Sequence, residues 1–201
     1  MKRILFDIET DGLVPDLTKV HSLVLLDMDT EEELSCADQE GYTSIADGMS
    51  YLKSAELLAG HNIQGFDFPA LHKLFGFEYS GEIHDTLIMS RLVWSDLKNN
   101  DFEYIKKPRG ANFPRQLIGS HSLKAWGLRL GNHKDGYSDG WDEWSEEMQS
   151  YCVQDCRANL TFYKFIMSKK PSAQSVKLEH DFAHVIRKQE AHGFHFDEVK
   201  A

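Results

Sequence analysis

ILFDIE, residues 4–9, is the stretch on which the reading of the fold turns. A strand advances with a period of two, so Phe6 and Ile8 share one face and anchor in packing, while Asp7 and Glu9 project together from the other. HSLVLLDM, residues 21–28, follows as a second apolar strand. EELSCAD, reached through the polar turn MDTEEE, reads as a third. The chain therefore opens on a β-hairpin or meander whose first strand displays two acids.

Working outward, residues 43–56 carry a helical pattern and ELLAGHN, residues 56–62, a short buried strand. FDFPALHKLF is predicted to be a helix with Pro69 near its first turn, where the missing amide hydrogen costs little. TLIMSRLVW reads as a further helix. Residues 98–115, KNNDFEYIKKPRGANFPR, are broken by Gly and Pro and read as an irregular excursion with five Lys/Arg against two acids, a local charge of +3. SHSLKAWGLRLG predicts a short helix capped by Ser120 or Ser122, and DGYSDGWDEW a loop. A longer helix over 144–168 carries Met148, Cys152, Asp155, Asn159, Phe162 and Ile166 on one stripe. Strands alternating with helices make the class α/β.

The bulk properties bound the function. The 201 residues and 41% hydrophobic content suit one domain with a sizeable core and material for an appendage. A net charge of -10 argues against a protein that coats duplex nucleic acid, though a local basic cluster can still guide a polyanion. There is no run of 18 apolar residues, so no membrane association is expected. The N-terminal MKRILFDIETD turns acidic too early for a signal peptide. Cys36, Cys152 and Cys156 form neither an even disulfide framework nor a zinc spacing, which fits a reduced, cytoplasmic setting.

The acids admit two readings each. Asp7 and Glu9 at a strand end can hold a hard cation such as Mg²⁺ or Mn²⁺, or can simply be solvated. Asp67, at the start of the FPALHKLF helix, reads as a metal ligand, an N-cap or both at once. His61 and Asn62 fasten the loop before it through hydrogen bonds, or His61 ligates a metal. Tyr151 and Asp155, four apart in YCVQD, bring their polar tips to one region of a helix, and an acid on that apolar stripe needs a compensating partner. Cys152 and Cys156 read as small packing groups rather than thiolate ligands.

Taken in order, DIET with Asp7 and Glu9, HNxxxFD with Asp67, and YCVQD with Tyr151 and Asp155 resemble the three motifs of the DEDD 3'-to-5' exonucleases, tyrosine branch. HNIQGFDFPAL, DTLIMSRLVWSDLKNND, IGSHSLKAWGLRLG and EEMQSYCVQD resemble, more closely, the proofreading domain of the family A replicative DNA polymerases of short-tailed coliphages, over about residues 3–168. The resemblance implies an RNase H-like fold, a mixed central β-sheet flanked by helices, over residues 1–170. Residues 171–201 are then a linker and the start of a polymerase-domain-like segment. It also implies that Asp7, Glu9, Asp67 and Asp155 hold two divalent cations, Mg²⁺ or Mn²⁺, while Tyr151 orients the attacking water. Asp7 would touch both ions, Glu9 and Asp155 the nucleophile side, and Asp67 the other side. Asp85 of HDTLIMS matches a helix-start or supporting position in the family. The expected reaction is hydrolysis of the terminal phosphodiester at a single-stranded or frayed DNA 3' end, releasing deoxynucleoside 5'-monophosphates.

Lys106, Lys107, Arg109 and Arg115, with Lys98, are candidate contacts to the strand, as are Phe102, Tyr104 and Phe113 for stacking, with a solvated loop as the alternative; His61 and Asn62 are further candidate contacts. In the tail, RKQEAHGFHFD resembles the lead into a polymerase domain, so the expected partner is a polymerase domain or a split polymerase subunit, and no polymerisation is expected of these residues. Leu178, Phe182, Val185 and Ile186 form an apolar side that covers the nuclease, docks a further domain or self-associates, the first being the expectation. His184, His192 and His195 suggest no catalytic pattern. The competing functions are an RNA-trimming 3'-to-5' exoribonuclease and a noncatalytic accessory module of a polymerase.

Overall fold

A computed structural model describes residues 2–131, 137, 140–197 and 200. Its five strands are β1 (Arg3–Thr10), β2 (Val20–Asp27), β3 (Glu33–Cys36), β4 (Leu57–Gly60) and β5 (Glu82–Asp85). They form one mixed sheet in the order β3-β2-β1-β4-β5. β1 runs antiparallel to β2, with Asp7 opposite Val24 and Glu9 opposite Ser22, and the register breaks between Glu9 and Thr10. β4 and β5 join parallel to β1. That parallel half requires crossovers, which α1 (Ile45–Ser54) and α2 (Asp67–Phe75) supply.

The alternation read in ILFDIE appears as two cores. Ile4, Phe6 and Ile8 pack with Leu52 of α1 and Leu71 of α2. Leu5, on the opposite face, joins the layer of α3 (Thr86–Val93), α4 (Leu97–Tyr104), α5 (Leu123–Leu130) and α6 (Glu146–Ser168), where Trp126, Cys152 and Phe162 are buried. Asp7 and Glu9 project toward this second layer. At the end of β4, a Cβ on Gly60 would stand 2.8 Å from the Phe6 carbonyl, so glycine lets the two strands close up beside the acids. α7 (Ala173–His192) lies along β5 and α3. No helix among the described residues is long and apolar enough to cross a membrane.

Several expectations need correction. The interval 98–115 is largely ordered: α4 occupies its first part and two short 3-10 turns, Pro108–Gly110 and Arg115–Leu117, the rest. Its order comes from a contact distant in sequence. Buried Arg129 on α5 forks onto both carboxylate oxygens of buried Asp101 at 2.8 and 2.7 Å, and Asp101 also accepts the Gly119 amide at 2.7 Å. Phe113 is buried beneath that guanidinium and offers no stacking surface. Ser122, not Ser120, caps α5. Of the apolar side expected to cover the nuclease, Leu178, Phe182 and Val185 are 65%, 58% and 50% exposed, and Ile186 alone of the four is half-buried. α7 instead packs through Val176 and His180. Of the loop DGYSDGWDEW, residues 135, 136, 138 and 139 lie outside the described residues.

Candidate metal and nuclease site

The site begins at the end of β1. Asp7 is half-buried, Glu9 is 9% exposed, and one carboxylate oxygen from each lies within 4.8 Å of the other and of Cys152 Sγ on α6. The thiol is placed as a donor, 3.4 Å from the Asp7 carbonyl and 3.8 Å from Asp7 Oδ2. Burial and the neighbouring thiol of Cys156, with Asp7 behind them, push its pKa well up. A protonated thiol is a poor ligand for a hard cation, so the ligating atoms here are the carboxylate oxygens.

Asp67 enters from the start of α2. Of its two readings, the N-cap is excluded: Phe66 flanks the helix, no side chain caps it, and Asp67 is its first helical residue, 3% exposed. Burial, then the charge of Asp7, raises the Asp67 pKa well above the ordinary carboxylate range, against hydrogen bonds from its own amide and that of Ile8. Its Oδ1 is buried without a hydrogen-bond partner among the described residues. A buried carboxylate facing a second one, with an oxygen left over, is the environment that a divalent cation would relieve. The donor set, hard oxygens from separate elements, suits Mg²⁺ or Mn²⁺.

Tyr151 and Asp155 come from α6. Tyr151 is half-buried, and burial followed by the charges of Glu9 and Asp7 pushes its phenol up to about 12. Its ring meets Tyr137 at 5.7 Å and Trp141 at 6.3 Å, two residues that no sequence motif attaches to the site. Asp155, half-buried, sits one turn further on, beside Cys156, whose thiol reaches the Val24 carbonyl at 3.6 Å. The helix therefore leans on β1 and β2 through its two thiols and carries Tyr151 and Asp155 past the acids of β1.

The remaining candidates divide. His61 Nδ1 lies 2.9 Å from the hydroxyl of Thr86, which also reaches Asn159 Oδ1 at 2.8 Å, so the ring is tied into the fold beside the site. Asn62 has a left-handed backbone (φ 64°), and its amide donates to Asp85 at 2.9 Å. Asp85 caps α3 through the Leu87 amide. In the basic segment all four cations are exposed; Lys106 pairs with Glu103 at 2.6 Å and Arg109 reaches the Arg129 carbonyl at 3.3 Å. One signal in the sequence points to a further residue, a polar group inside an apolar stripe: Asn159 stands among packing residues by its spacing and is a buried hydrogen-bonding group.

Residues 4–167 match a family described as the RNase_H superfamily. The DNA-directed DNA polymerase of Escherichia phage T7 is 30% identical over 96% of the chain, and that of Enterobacteria phage T3 30% over 95%. The chain spans about a third of the length of these two polymerases, 33% in each. Among solved structures, NrnC of Brucella melitensis superposes with a TM-score of 0.61 at 16% identity, covering 100% of this chain and 90% of that one. It has also been solved with bound Mg²⁺ and bound to pGG. RNase D of Escherichia coli, an exoribonuclease involved in structured RNA processing, superposes at 0.55 with 14% identity, over 94% of this chain and 46% of its own. At those identities the two structures speak for the fold.

Proposed function

The chain belongs to the RNase H superfamily, as a DEDD-type exonuclease domain matching part of phage T7- and T3-type DNA polymerases, and from this we propose that it removes nucleotides one at a time from a single-stranded nucleic-acid 3' end. The observation that carries the reading is the convergence on one strand end of Asp7 and Glu9, the buried orphan oxygen of Asp67, and the protonated phenol of Tyr151.

Asp7, Glu9, Asp67 and Asp155 would hold divalent cations, with two ions about 4 Å apart as the arrangement suited to in-line displacement. Bound cations would offset phosphate charge and make a water acidic enough to attack at neutral pH. An ordinary phenol already keeps its proton at neutral pH, and burial with the charges of Glu9 and Asp7 pushes Tyr151 up to about 12 before any cation is bound, so its work is to orient the water by a hydrogen bond. Water adds to the terminal phosphorus as the 3' oxygen of the penultimate nucleotide leaves, giving a nucleoside 5'-monophosphate and a shortened strand. Phe162 of α6 stacks on Trp126 of α5 at 4.6 Å, which anchors the helix that carries Tyr151 and Asp155.

The sugar has two supports. The phage polymerases, alike in sequence, support deoxyribose and a proofreading role beside a polymerase domain or subunit. The support for ribose is that RNase D, which shares the fold, is an exoribonuclease. The deciding experiment is a gel assay on matched 5'-labelled single-stranded DNA and RNA, with Mg²⁺, Mn²⁺ or EDTA, beside the folded Asp7→Ala/Glu9→Ala protein. The expected outcome is a metal-dependent ladder from the 3' end that the double variant loses by a factor of at least about 10³; the faster strand names the sugar. Full activity in the folded double variant would reject the site.

A further inference from the structure

Asp67 is delivered by a tight turn over residues 62–65. The Gly65 and Phe66 amides close that turn on the Asn62 carbonyl at 2.8 and 3.0 Å, and the Phe68 amide reaches Ile63 at 2.9 Å. Asn62 holds a left-handed backbone there, a conformation that persists in a non-glycine residue where surrounding contacts fix it. Those contacts come from Asp85. Its two carboxylate oxygens accept the amides of Asn62 at 2.9 Å and Gln64 at 3.0 Å, while one of them also caps α3 at the Leu87 amide.

Asp85 is in turn held from α7. Its backbone amide, buried, donates to His180 Nε2 at 2.7 Å, and His180 Nδ1 stands 2.7 Å from the Val176 carbonyl. Nε2 accepts, so the proton is on Nδ1 and both ring nitrogens are committed, in a side chain only 7% exposed. α7 reaches the turn a second time through Arg187: a Cβ on Gly65 would collide with the Arg187 guanidinium and the Asn62 side chain, so glycine makes room for that contact.

We propose that His180 is a positioning residue for the nuclease site, acting through Asp85 on the turn that sets Asp67; this rests on the exonuclease reading above. A buried N–H without an acceptor is costly, so losing the Nε2 acceptor forces Asp85 to move toward water or another partner. Its carboxylate cannot move without releasing the Asn62 and Gln64 amides together. Asp67 stands three residues past Gln64, and such supporting partners typically govern metal affinity by 10- to 100-fold. α7 would then contribute to the site without touching substrate.

The test separates the two ring nitrogens. In His180→Gln the side-chain oxygen falls near the Nε2 position and can accept the Asp85 amide; in His180→Asn the amide falls near Nδ1 and cannot. Hydrogen exchange at the Asn62 and Gln64 amides, Mn²⁺ affinity, and kcat against KM are measured for both, for His180→Ala, and for Lys177→Ala on the exposed side of α7. The expected result is fast exchange, Mn²⁺ binding weakened roughly tenfold or more, and reduced kcat with KM nearly unchanged in His180→Ala and His180→Asn. His180→Gln recovers toward wild type, and Lys177→Ala matches it. Equal defects in His180→Gln and His180→Asn, or wild-type exchange and Mn²⁺ affinity in His180→Ala, would overturn the proposal. If the wild-type protein neither binds Mn²⁺ nor cleaves, yet exchange still follows the acceptor, the exonuclease reading falls and the positioning of the turn stands.

Discussion

Tyr151 shows how a residue's surroundings decide its chemistry. A phenol beside Glu9 and Asp7, half out of water, is harder to ionise than in solution, and its pKa of about 12 leaves a hydrogen-bond donor and acceptor rather than a base. Tyr151→Phe should therefore lower kcat by up to roughly 10²-fold, the scale of a misplaced reactant, with Mn²⁺ affinity and thermal stability close to wild type. Single-turnover cleavage of a labelled oligonucleotide beside a titration with Mn²⁺ measures both; wild-type cleavage would contradict the role. The pairing of Asp7 with Glu9 is legible from the strand period alone, and that of Tyr151 with Asp155 from the helix period. Asp67 is ambiguous in sequence, because an acid before a helix is so often a cap. Only its burial and its missing cap bond separate the readings, and both depend on Asp7 arriving from sixty residues earlier.

At the scale of elements, the strands and most helices are legible because each carries its own period, and the failures have a common cause. α4 is a weakly amphipathic segment of polar residues, LKNNDFEY, and nothing local marks it as a helix. It is held by Arg129, whose guanidinium satisfies Asp101 and the carbonyls of Ser120 and Leu117 while lying 4.8 Å from the Trp126 ring centre. Both charges are nearly dry, at 8% and 2% exposure, so removing one strands the other. Asp101→Ala is expected to cost about 3–5 kcal/mol in denaturant unfolding; a loss below about 1 kcal/mol would place the pair among surface ion pairs. The seam of β5, α6 and α7 gives a pH signature. His84 is neutral there, its Nδ1 2.8 Å from the Tyr163 hydroxyl and its Nε2 3.0 Å from Glu82. Burial lowers its pKa below 6.5 and outweighs the pull of Glu82, with His180 and Arg3 adding to the lowering. The unfolded chain thus binds the proton first as pH falls below 6.5, and the stabilising contribution of neutral His84 is lost as pH drops through the lower folded value. Relative to His84→Gln, the wild type should lose ground between pH 7.5 and 5 in paired unfolding curves; parallel curves would reject the assignment.

Across the whole molecule, a net charge of -10 must accommodate a polyanionic strand, and the acidic site itself repels it until cations are bound. The local charge of residues 98–115 is legible from composition, but which of its cations the fold engages is not, since that depends on where α4 and α5 come to lie. Lys106 is drawn to Glu103 and Arg109 to the Arg129 carbonyl, and both are partly spent on the fold. Lys107 and Arg115, exposed as well, make no side-chain hydrogen bond or ion pair among the described residues, so they are the pair expected to meet phosphate. Removing a cation that neutralises one phosphate should flatten the dependence of log affinity on log salt by about 0.7 for a single strand. Lys107→Gln/Arg115→Gln, compared with its parent in the Asp7→Ala/Glu9→Ala background so that no strand is cut, should bind a labelled single strand more weakly at low salt and show a slope smaller by roughly 1 to 1.5. Lys106→Gln/Arg109→Gln in the same background should change the slope by less, because those charges already have partners. Fluorescence anisotropy across a salt series measures all three, and an unchanged slope in the Lys107/Arg115 protein would mean that the strand approaches this acidic molecule over another face.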